Sequence, residues 1–72
     1  MKEIETVVLV KDLPEHHLKA GDVGTVVHVH PKGGYEVEFV TLGGETIAVV
    51  SLMPSDVRKT EKREIPHVRA VA

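Results

Sequence analysis

Two histidines, two glutamates and a tyrosine fall within one stretch, Gly24 to Val40, reading GTVVHVHPKGGYEVEFV. His28 and His30 are spaced i, i+2, so on a strand both imidazoles leave the same face. Glu36 and Glu38 repeat that spacing beyond the Pro31–Gly34 break. Two imidazoles beside carboxylates, with a bound water, are the makings of a zinc or nickel site, which makes His28 and His30 the metal candidates. The plainer expectation is a set of cross-strand contacts on the wet face of a hairpin, each worth roughly 0.2–1 kcal/mol. Structural zinc sites favour four closed ligands and often thiolates. The chain has no cysteine, so the plainer expectation is preferred and no cofactor is expected.

The remaining catalytic inventory is thin. His16 and His17 are adjacent in an irregular segment and diverge, so they do not share a metal without a third ligand. Ser51 and Ser55 lie far in sequence from the histidines and outside any nucleophile-elbow context. Asp22 sits between Gly21 and Val23-Gly24, where bonding backbone amides of a turn is its expected work rather than proton transfer. The six glycines fall at strand junctions with no following helix, so neither a P-loop nor a dinucleotide fingerprint is present. No enzyme is expected.

These residues need strands to position them. Val7 to Val10 is short and β-branched, bounded by Asp12 and Pro14, and reads as the first strand. LPEHHLKAGD, Leu13 to Asp22, lacks alternation and reads as a long loop that turns Leu13 back on the core, with Leu18 open to the same use. The next strand begins near Val23, bent or bulged around its glycines, and runs to His30, where Pro31 stops it and Gly33-Gly34 supplies the reversal. Tyr35 to Phe39 alternates without a break, so Tyr35, Val37 and Phe39 face in. With Val27 and Val29 also inward, a register opposing His28 to Glu38 and His30 to Glu36 places all four on one exposed ribbon. Thr46 to Leu52 is the fourth strand after the Gly43-Gly44 reversal, and Met53 to Val57 leaves room for one helical turn before a short closing strand at Val57-Arg58.

A chain of 72 residues holds one domain, since a core of this size buries only about 60% of the surface its unfolded chain exposes. The expected organisation is a folded unit over 1–58, then a mixed-charge connector and a partly apolar tail over 59–72. That tail either stays disordered, packs on its own fold or adds a strand to a neighbour. A formal charge of −2 gives no global attraction for phosphate backbones. No apolar run is long enough for a leader or a membrane span, and the lack of cysteine suits a reducing compartment, so a cytoplasmic protein without membrane contact is expected.

Five short strands without a long amphipathic segment point to an all-β, strongly bent antiparallel barrel. LKAGDVGTVVHVHP, GGYEVEFV, TIAVVSL and MPSDVR, taken in order from Val7 to Arg58, resemble a family of short bacterial proteins filed as a domain of unknown function. That family is similar to the small barrel of the nitrile hydratase β subunit and to KOW-type modules. The resemblance implies a five-stranded SH3-like barrel and an accessory or antitoxin-like role, and it carries over no catalytic residue. The chain lacks the basic, aromatic-rich face of a KOW module that binds nucleic acid.

The function expected is that of a non-enzymatic binding module acting through a protein partner or through itself, as a dimer formed by the C-terminal tail. Its contact residues are expected in the loop, Glu15, His16, His17, Leu18 and Lys19, and on the ribbon of His28, His30, Glu36 and Glu38. A nucleic-acid-contacting module using Lys11, Lys19 and Lys32 along one rim is the alternative, and a histidine-based metal-binding protein is a second.

Overall fold

A computed structural model describes residues 4–71. The fold is all-β: β1 (Thr6–Leu9), β2 (Val23–Val29), β3 (Tyr35–Val40), β4 (Thr46–Leu52) and β5 (Val57–Lys59) form one antiparallel sheet in the order β4-β3-β2-β1-β5. Among the described residues the helical content is two single 3-10 turns, Pro14–His16 and Pro54–Asp56, the second immediately before β5 as its proline and Asp56 suggest. Asp56 fixes that turn by accepting the Met53 amide at 2.9 Å. Among the described residues no helix is long and apolar enough to cross a membrane.

The ladder is not closed. β5 lies on β1 and β4 lies on β3, leaving both as edges, where a closed barrel was expected. The turn before β5 carries the chain across to β1, and β5 is only three residues long. The sheet is nevertheless curled, because one buried cluster draws on every strand: Val7, Leu9, Val26, Val37, Phe39, Val50, Leu52 and Val57. Leu13 and Leu18 complete it from the β1–β2 loop, which they close by pairing with each other in both directions, at 2.9 and 3.1 Å.

Two bulges bend this sheet, one in β2 and one between β3 and β4. The first corrects the expected phase. Val26 opposes Val37 while His28 opposes Glu36, so Val27 is the extra residue on β2. Val26 is fully buried and Val27 is 42% exposed, reversing the expected inward position of Val27, whereas Val29 packs against the core as expected. Such an insertion tilts the strand and sharpens its twist. β1 also begins one residue earlier than expected, at Thr6, and β2 stops at Val29, with His30 already in the reversal. There the His30 amide donates to the Gly34 carbonyl and the Gly33 amide to the His30 carbonyl, both at 3.0 Å, with Gly33 and Gly34 at φ 101° and 94°. Glycine meets that left-handed requirement without steric cost.

Candidate functional site

The bulge decides what the histidine ribbon looks like. His28 lies directly opposite Glu36 rather than Glu38, a shift of two residues from the expected register, which keeps all four residues on one face because side chains repeat every two positions. His30 reaches Glu36 diagonally, Nε2 to Oε2 at 2.8 Å, so this expected pair forms. The Ser51 hydroxyl from β4 donates to the same oxygen. These two bonds hold the Glu36 carboxyl below its ordinary value, Ser51 contributing most and His30 next. Glu38 instead accepts the Thr46 hydroxyl at 2.9 Å and opposes Thr25. The two imidazoles meet edge to face with centroids 4.9 Å apart. Among the described residues no three of His, Asp, Glu or Cys are grouped to hold a metal. Ser51 donates to a carboxylate rather than to an imidazole.

The lysines are not brought together. Lys19 precedes β2 and Lys32 follows it, so a seven-residue strand, about 23 Å at the usual rise, separates them. Lys11 shares the Lys19 end and binds Asp56 at 3.0 Å.

In the β1–β2 loop, Glu15, His17 and Lys19 are exposed and His16 is half-buried. Leu18, expected among the contact residues, is 3% exposed and belongs to the core, because the Leu13–Leu18 pairing turns its side chain inward; what surface it keeps lines the groove beside the tail. His17 adopts the left-handed conformation at φ 60° and ends the 3-10 turn.

The loop gains a partner that the sequence did not announce. Residues 60–71 form neither helix nor strand, and they return over the end of the sheet where β2 starts and β3 ends. Arg69 anchors them. Its Nε donates to Asp22 Oδ1 at 2.8 Å, and Nη2 donates to Asp22 Oδ2 at 2.5 Å and to the His17 carbonyl at 2.9 Å. Asp22 also accepts the Lys19 amide at 2.8 Å, the turn-bonding work expected of it. Partial burial pushes the Asp22 carboxyl up, but the Arg69 and Lys19 hydrogen bonds, with the charges of both residues, leave it below its ordinary value. Between tail and sheet runs a groove of about 450 Å³, bounded by Leu18, Val23, Phe39 and Ile47 on one side and by Pro66 and Val68 on the other. The hint available in sequence was a lone arginine set among valines and alanines, VRAVA, a pattern that suits a surface with one carboxylate in an apolar frame.

A second fork starts the tail on its return path. Arg58 of β5 donates to both oxygens of Glu64, at 2.8 and 2.5 Å. Glu64 Oε1 also accepts the Glu61 amide at 2.7 Å, while the Glu64 amide donates to the Glu61 carbonyl at 3.2 Å, closing a turn over Lys62 and Arg63. Arg58, then the Glu61 amide, bring the Glu64 carboxyl down to about 2.

The model of a family described as a domain of unknown function (DUF4926) matches residues 3–59, through the last residue of β5, so the tail lies beyond the matched region. No curated protein and no solved structure matches the chain.

Proposed function

We propose, for a chain that belongs to this DUF4926 family, that it is a small non-enzymatic binding module acting through protein–protein contacts and gripping an extended segment at the end of its sheet. The observation that carries the reading is the pinning of its own tail: an irregular segment returns over the end of the sheet and is fixed to Asp22 and the His17 carbonyl by the Arg69 guanidinium, beside a groove lined by Leu18, Val23 and Phe39. A surface that holds such a segment in one chain has the chemistry to hold another of the same kind, apolar with a central cation. The exposed loop residues Glu15, His17 and Lys19, with the half-buried His16, set the rim of the contact. The strand order, with β5 laid on β1 after a 3-10 turn, supports the SH3-like reading of the curled sheet. An accessory or antitoxin-like role in a reducing cytoplasm suits such a module.

The separation of Lys19 from Lys32 leaves the nucleic-acid alternative without a continuous basic rim. The test is affinity capture from the host lysate, treated with nuclease and chelator, using an Arg69→Ala chain whose tail is unpinned. A stoichiometric protein retained by that bait, and lost when Val23→Asp is added, is the expected result. Retention that disappears with nuclease or chelator would overturn the reading.

A further inference from the structure

We infer that the tail also seats on a second copy of this chain, so that two copies exchange residues 65–71 and form a closed dimer. The inference rests on the binding-module reading and names one occupant for the end of the sheet. That occupant is already complementary, since every copy carries both the Asp22 carboxylate with the His17 carbonyl and the Arg69 guanidinium that fills them. Among the described residues of the tail, neither a strand ladder nor a helix ties it to its own sheet: the segment is irregular over 60–71. What returns it to its own sheet is the reversal Glu61–Glu64, clamped by Arg58. When that reversal straightens, the same segment reaches outward with its contacts intact, and a two-fold arrangement satisfies both copies at once.

The balance between the two seatings follows from tether length. A short flexible connector supplies its own tail at an effective concentration in the millimolar range, so the single-chain seating wins below that concentration. The wild-type chain is therefore closed on itself when dilute. Exchange takes over when the single-chain seating is made repulsive or the reversal is removed.

Charge reversal separates the two seatings. A chain with Asp22→Arg presents like charges at the fork, and a chain with Arg69→Asp does the same with the opposite sign, so neither seats its own tail. Mixed, each tail finds an opposite charge only on the other chain. The experiment is size-exclusion chromatography with light scattering on each full-length variant alone and on their mixture, at micromolar concentration. The expected result is two monomers that combine, on mixing, into a 1:1 species of twice the single-chain mass. A mixture that stays monomeric overturns the exchange. If either variant fails to fold, a chain lacking Lys62 and Arg63, which cannot make the turn, decides: a dimer supports exchange and a monomer overturns it. Failure here, with a protein still retained in the capture experiment, leaves the binding-module reading standing and removes only the second copy as its occupant.

Discussion

Asp22 and Arg69 stand 47 residues apart in the chain and meet fork to fork, with both carboxylate oxygens engaged by the Nε–Nη2 edge of one guanidinium. Planar pairing of this kind fixes orientation as well as attraction, so it specifies where the tail lies along the sheet end. The pair is partly exposed, at 27% for Arg69 and 18% for Asp22, and salt weakens it accordingly.

The seating of the tail has a defined acid limit. Asp22 titrates below its ordinary value of 3.8 in the folded chain, so its contribution is complete above that value and is lost as pH falls through the folded pKa. Amide resonances of Val68 to Val71 are expected to hold their positions from pH 8 to pH 5 and to move toward random-coil values only below about 3.8. Release of the tail between pH 5 and 7 would contradict the assignment of Asp22 as the anchor.

Gly24 faces the core on β2, where an added Cβ would lie 2.7 Å from Val37 Cγ1 and 2.8 Å from Phe39 Cε1. Gly24→Ala is expected to destabilise the fold by about 1–3 kcal/mol through overpacking. Urea unfolding midpoints measure it, and a loss within experimental error would mean that the Phe39 ring moves aside freely.

His17 holds a left-handed backbone conformation at the end of its 3-10 turn. A side chain costs about 1–2 kcal/mol there relative to glycine. His17→Gly is expected to stabilise the chain and His17→Val to destabilise it, with opposite shifts in thermal midpoint. Equal effects from both would show that the imidazole, rather than the backbone, matters at this position.

Leu18 and Leu42 give a direct contrast between core and surface. Leu18 is 3% exposed and Leu42 is 94% exposed. Leu18→Ala is expected to cost about 2–5 kcal/mol, and Leu42→Ala to stay within about 0.5 kcal/mol. Denaturant titration of the two variants side by side checks the assignment. Similar costs would return Leu18 to the surface.

The strands were legible because β-branched runs between proline and glycine leave few other choices, and Tyr35 to Phe39 shows why: its alternation admits a single inward face. Val26-Val27 hid the bulge for a related reason. Two adjacent valines satisfy either phase equally, so periodicity does not say which is inside, and only pairing with Val37 settles it. The His30–Glu36 contact was readable from shared parity across a glycine turn. The Arg69–Asp22 fork was not, because a segment without periodicity carries no register, and a contact across 47 residues depends on where the whole sheet end lies.

The open ladder leaves the molecule with two unlike rims. β5 is three residues long and carries Arg58 and Lys59, cations that discourage a foreign strand from docking. β4 is seven residues of TIAVVSL without a charge, and Val49 on it is 52% exposed. Its outer row of amides and carbonyls pairs with no strand among the described residues. An uncharged, β-prone, proline-free run on an unpaired rim is the composition from which cross-β stacking starts. Colloidal stability in this small protein is thus set at β4, on the side away from the cations of β5, and a concentrated or heated solution tests that rim first.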